Sequence, residues 1–293
     1  MVVATVMACS GCQISSMRDS KIILKSTPFI LPNIRVVTPA DAGFETELKA
    51  LFGDKVQVIK QLEPYVLIVS NESKRKIVAY SAVWTITRRS DQGRTEFFKL
   101  LTFPNTVAGG SAKNEFPRDG EIYPGETRIA GATISGDKNL VREAELWRCD
   151  PHGEAYFAQM AQSQSQHEEY TDASEIEMGL DAVIFDDGEL VGRDRGHLAQ
   201  HFSAYVNAEQ SIYRKIVEEV NSGSTIDDVF AQLKTVVAAN YPQIGTLGWE
   251  FHIYDVLAAT DAISWRSAHG DSQLVEHYRR SLRETPFAVW QKS

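Results

Sequence analysis

The clearest alternation of apolar and polar positions runs from Ile77 to Thr87. Val78, Tyr80, Ala82, Trp84 and Ile86 fall on one face of that strand. Ala79, Ser81, Val83, Thr85 and Thr87 fall on the lighter face, so the first set is expected to be buried. Val56–Ile59 and Tyr65–Val69 read as strands before it, and Asn71-Glu72-Ser73-Lys74 as the turn between. Ser90-Asp91-Gln92-Gly93 marks another turn, and Thr95–Phe103 another strand. Residues 104–120 lack periodicity and hold Pro104, Gly109, Gly110, Pro117 and Gly120, the pattern of a long loop. Pro124-Gly125 suits the centre of a type II turn, and Thr127–Ile134 follows as a strand. A helical stretch is expected near residues 139–170. Leu180–Phe185 and Glu189–Gly192 flank Asp186-Asp187-Gly188, a strong short hairpin signal.

From residue 196 the period changes to that of helices. Leu198, Phe202, Tyr205, Ile212, Ile216 and Val220 form one stripe within His197–Val220, and Gly223 is a natural stop. Ser224 with Asp227 reads as a capping arrangement. Ile226, Val229, Phe230, Leu233 and Val237 make a second stripe. Trp249, Ile253, Val256, Leu257 and Ile263 make a third. Leu274, Tyr278 and Leu282 lie in a fourth helix, capped by Asp271 and followed by Pro286. Before residue 56, Pro28, Pro32 and Pro39 prevent a long helix, while Thr38–Gly53 carries Phe44, Leu48 and Leu51 at helical spacing. The pattern therefore predicts an α+β chain. Residues 1–55 form a signal or lead-in segment with a short helix, 56–195 an antiparallel β-sandwich with a helical insertion, and 196–293 an α-helical region.

The chain has 293 residues, 43% apolar and 24% charged, which excludes a disordered or collagen-like chain. No apolar run is long enough to span a membrane as a helix. A net charge of −9 argues against nucleic acid as the partner. The excess is local: residues 150–195 hold 12 acidic and 2 basic groups. That stretch reads as a solvated acidic surface, with binding of a basic partner by a cytosolic interaction protein as the sharper alternative. It contains no calcium loop of the Asp-x-Asp-x-Asp-Gly kind.

Three cysteines, Cys9, Cys12 and Cys149, do not make a disulfide framework. Cys9-Ser10-Gly11-Cys12 has redox or zinc spacing, but lacks a preceding strand and two further zinc ligands. Val6-Met7-Ala8-Cys9 resembles a bacterial lipobox, in which the cysteine is acylated after cleavage. Ala8 supplies the small residue before Cys9 and Val6 the apolar residue three before it. No Lys or Arg precedes the apolar run. Cys9 is the candidate for lipid attachment, against a plain unstructured N-terminus.

A wider resemblance rests on several short segments. They are Val66-Leu67-Ile68-Val69-Ser70-Asn71-Glu72-Ser73, Ile77-Val78-Ala79-Tyr80, Trp84, Gly93 and Tyr123-Pro124-Gly125-Glu126. Their order is similar to immunoglobulin-like or fibronectin-III-like sandwich modules of uncharacterised bacterial envelope proteins. Leu180–Gly188 resembles the final hairpin of such modules. The resemblance covers residues 56–195. It implies adhesion, spacing or binding, an extracytoplasmic location and no shared catalytic residues.

Catalytic motifs are scarce. There is no Gly-x-Ser-x-Gly, phosphate-binding glycine loop or His-Glu-x-x-His. His197 and His201 lie four apart on an expected helix with Asp194 a turn earlier, an arrangement that could hold a metal ion. His252 and Asp255 form a second His/acid pair, read as a surface or interhelical hydrogen bond. Asp186/Asp187, Glu168/Glu169 and Asp227/Asp228 are adjacent carboxylates, unsuited to facing each other across a cleft. The expectation is a non-catalytic envelope protein with no cofactor and no metal. The alternatives are a metal-dependent enzyme using His197 and His201, and a cytoplasmic protein.

Overall fold

A computed structural model describes residues 22–53, 66–89, 95–102, 121–131, 173–239, 249–283 and 290–291. Their elements are β1 (Ile23–Ser26), β2 (Ile34–Val37), α1 (Phe44–Phe52), β3 (Val66–Asn71), β4 (Ile77–Arg88), β5 (Thr95–Thr102), β6 (Thr127–Gly131), β7 (Ala173–Phe185) and β8 (Glu189–Gly192). After these come α2 (Leu198–Asn221), α3 (Ile226–Ala239), α4 (Trp249–His269), α5 (Leu274–Arg283) and β9 (Trp290–Gln291). The expected strand at Val56–Ile59, the loop at 104–120 and the helical insertion at 139–170 lie outside the described residues.

The chain is α+β, and its described residues form two sheets. β2-β3-β6 is antiparallel, and a six-stranded sheet has the order β5-β4-β7-β8-β9 with β1 also on β7. The larger sheet is mixed, not antiparallel as expected, because β1 runs parallel to β7 and β9 parallel to β8. The length of β7 leaves room for two strands on one edge. β8 pairs with only Ala182–Ile184, while β1 takes Glu175–Met178 along the same edge. Thus residues expected as a lead-in supply two strands, one to each sheet.

One apolar core lies between the sheets. Ile34, Leu67, Val69 and Ala130 from the small sheet meet Tyr80, Ala82, Trp84 and Ile86 of β4 and Ile176, Met178, Leu180, Val183 and Phe185 of β7. Trp84 is fully buried there, which favours its reading as core. α1 lies against β3 and buries Phe44, Leu48 and Phe52. A second core joins Val78, Ala79, Ala182, Ile184 and Leu190 of the large sheet to the stripes of the four C-terminal helices.

Val78 therefore belongs with the helices, not with Tyr80, Trp84 and Ile86. It is the extra residue where Ile77 pairs with Phe185 but Ala79 with Ile184, and the bulge shifts the alternation. A second bulge inserts Asp181 into β7, since Ser81 pairs with Ala182 and Ala82 with Leu180. That insertion lets Leu180 and Val183 face the same core although three apart.

Turn chemistry agrees with the sequence. Asn71 Nδ2 donates to the carbonyls of Arg75 and Ile122, and its Oδ1 accepts from Ser73. Gly125 takes φ +81° in the Pro124-Gly125 turn, closed by Glu126 N–H on Tyr123 O. Asp187 accepts from the Glu189 amide within the hairpin turn. Capping of α3 falls one residue later than expected: Thr225 accepts from the Asp228 amide and donates to its carboxylate.

Candidate functional site

The sequence candidates lie where the large sheet hands over to the helices. Asp181, the bulge residue, is buried, with 2% exposure. Its carboxylate accepts from Arg195 Nε at 3.1 Å and from the Gly196 amide at 2.8 Å, and its carbonyl accepts from the Arg193 amide at 2.8 Å. A bulge leaves backbone groups out of the strand ladder, and here they hold the 193–196 link to β7.

Asp194 and His197 are the only non-glycine residues with positive φ among the described residues, at +52° and +58°. His197 is therefore the capping residue before α2 and not part of the helix, and its left-handed backbone takes it off the face that carries His201. The Asp194 carboxylate accepts from the amides of Leu198 and Ala199, the first unpaired donors of α2. Burial pushes its pKa up, opposed by these two amide bonds, with the Asp181 charge adding to the rise.

His201 turns inward. It is 4% exposed, and its Nδ1 lies 2.8 Å from the Tyr254 hydroxyl of α4. The proposed metal set is thus divided: His197 is exposed, His201 is buried on Tyr254, and Asp194 is spent on a helix end. Among the described residues, no three His, Cys, Asp or Glu side chains gather as a metal site. Cys9 and the His252 side chain lie outside the described residues.

Beyond Tyr254 runs a polar seam that sequence reasoning missed. Tyr254 meets Tyr205 edge-on at 6.1 Å. Tyr205 and Tyr213 both donate to Glu209 Oε1, at 2.8 and 3.3 Å. Tyr213 stacks on Tyr278 of α5 at 4.7 Å, and Tyr278 meets Trp265 at 5.9 Å. Asp261 of α4 is buried at 7% exposure. Burial, then the charges of Glu209 and Asp261, holds both Tyr213 and Tyr278 well above the usual phenol range. The signal that could have found part of this seam is the spacing of Tyr205, Glu209 and Tyr213, one helical turn apart on α2.

The described part of the acidic stretch is largely engaged by neighbours. Glu175 pairs with Lys25 at 2.7 Å, Glu177 accepts from Thr27, and Asp187 and Glu189 both accept from Arg75. The Arg75 guanidinium also lies over the Phe185 ring at 3.8 Å. In comparisons with known proteins, no family model, curated protein or solved structure matched the chain.

Proposed function

We propose that the protein is a non-catalytic binding, adhesion or spacer protein of a bacterial envelope. In this reading the two sheets act as an immunoglobulin-like module, and the helices form a second body fixed to it. The observation that carries the reading is the junction. Asp181, Asp194 and Arg195 tie the link to β7 and α2, and Ala182, Ile184 and Leu190 share a core with the helices. A spacer needs such coupling, because a flexible link would not transmit position. The commitment of Asp194 and His201 to internal bonds speaks against the metal-enzyme alternative.

The location is proposed from the Val6-Met7-Ala8-Cys9 segment, with lipid on Cys9 and the following residues as a tether. A diacylglycerol group and an amide-linked acyl chain on one cysteine would together hold the protein at a membrane surface, where one chain alone is marginal. Fractionation of the native host tests this reading. Recovery with membranes, and release by detergent but not by salt, is the expected result. Recovery in the cytoplasm would favour an interaction protein, and stoichiometric zinc or iron lost in a His197→Ala/His201→Ala variant would favour an enzyme.

A further inference from the structure

We propose that Trp265, which carries a stacked histidine ring from each of two helices, is an acid-strengthened clasp that fastens α5 to α4. The indole is buried, with 9% exposure. The ring of His269, from α4 itself, lies on it at 4.4 Å and 18°, and the ring of His277, from α5, at 4.3 Å and 12°. Both lie within the roughly 6 Å at which a cation is attracted to the face of an indole. α5 packs along α2, and the rings of His277 and Tyr278 add its contact with Trp265 of α4.

A neutral imidazole on this face contributes only stacking, whereas a protonated one is held by the ring quadrupole as a cation. Histidine is the side chain whose charge changes near neutral pH. His277 is half-buried, so its ring reaches both the indole and solvent protons. His269 ends α4, and its Nδ1–H donates to the Trp265 carbonyl at 3.0 Å, which fixes its ring on the indole. Charged and titratable groups approach His277 from each element beside it. On α5, Glu276 precedes it, Tyr278 meets it edge-on at 5.0 Å, and Arg280 follows one turn later. α4 brings His269 and Arg266, and the Arg266 guanidinium is taken up by Asp271 of the link and Asp227 of α3, at 2.6 Å each. α2 brings Tyr213, stacked on Tyr278, and Glu209, which accepts from Tyr213, while its Asn221 accepts from Arg279. The nearby arginines Arg266 and Arg279 are thus turned to other acceptors, and the indole face is a partner for the His277 ring in either charge state. Attraction of the charged ring makes the folded chain hold the His277 proton more tightly than the unfolded chain. The added stability is fully present below the ordinary histidine value of about 6.5 and declines as pH rises through the folded one.

The test follows the imidazole C–H signals of the full chain by NMR from about pH 8.5 to about pH 5, with His277→Gln identifying the signal of His277. The titration midpoint of His277 should fall by about half a pH unit in Trp265→Leu. It should fall by less in Trp265→Phe, which keeps a weaker aromatic face. Urea unfolding gives a second readout through His277→Phe, which retains a ring on the indole but takes no proton. Between about pH 8 and about pH 5.5, wild type should gain about threefold in folding constant relative to His277→Phe. A His277 midpoint unchanged or raised in both Trp265 variants would overturn the proposal. So would a difference between wild type and His277→Phe that stays constant on acidification or moves against wild type.

Discussion

Arg195 donates its Nε–H to Asp181, the residue of β7 that bulges out opposite Ser81 and Ala82, so a bulge in the sheet anchors the segment that leads into α2. The bond is asymmetric. Asp181 is fully inside, whereas the Arg195 side chain is 37% exposed. Asp181→Ala should therefore cost more than Arg195→Ala. The first leaves the buried Gly196 amide without an acceptor, a penalty of about 1–3 kcal/mol, while the second leaves a carboxylate still held by that amide. Urea unfolding of the two variants decides it, and a larger loss in Arg195→Ala would contradict the anchoring role.

Gly192 ends β8 at φ +130°, and a Cβ there would lie 2.2 Å from the Asp181 carbonyl oxygen. Gly223, after α2, has φ +102° with open space around it. Alanine at Gly223 should cost only the backbone strain, about 1–3 kcal/mol. Alanine at Gly192 adds a collision with backbone and should be clearly worse. Thermal midpoints of the two variants, measured side by side, test this order.

Trp84 fills the core between the sheets, yet its indole N–H has no partner among the described residues. Trp84→Ala should lose about 3–5 kcal/mol through the cavity it leaves. Trp84→Phe should lose much less, since it also removes the unsatisfied donor. Equal losses in the two variants, read by urea unfolding, would contradict this order.

Asp194 gives a pH dependence with a definite sign. Its pKa is raised in the folded chain, chiefly by burial. The folded state then holds the proton more tightly than the unfolded state. This group's contribution to stability is fully present below the ordinary Asp value of about 4 and declines as pH rises through the raised value. Asn tolerates the left-handed backbone and can still accept an amide bond. Asp194→Asn should thus gain on wild type as pH rises from about 4 to 7. A widening deficit over that range would show that the charged cap outweighs burial.

How far the fold was legible depended on how local its signals were. β4, the 186–188 hairpin and the four C-terminal helices follow from alternation, turn residues and apolar stripes. β1 and β2 were hidden, because the prolines around them read as lead-in and their partners are distant in sequence. The first half of β7 was hidden for another reason: Glu175 and Glu177 looked like part of an acidic surface, and their partners Lys25 and Thr27 come from β1. Asp194, His197 and His201 drew attention through their spacing, but that spacing presupposed a helix. The left-handed turns at Asp194 and His197 break it. Tyr278 carries no local signal, since only the packing of α5 on α2 sets its ring against Tyr213.

Mass spectrometry of the mature N-terminus from the native host tests the envelope assignment most directly. Envelope anchoring predicts a chain beginning at Cys9 with a diacylglycerol group and an amide-linked acyl chain. It also predicts that Cys12→Ser leaves that product unchanged while Cys9→Ser abolishes it. An unmodified Met1 on the cellular protein would contradict envelope anchoring.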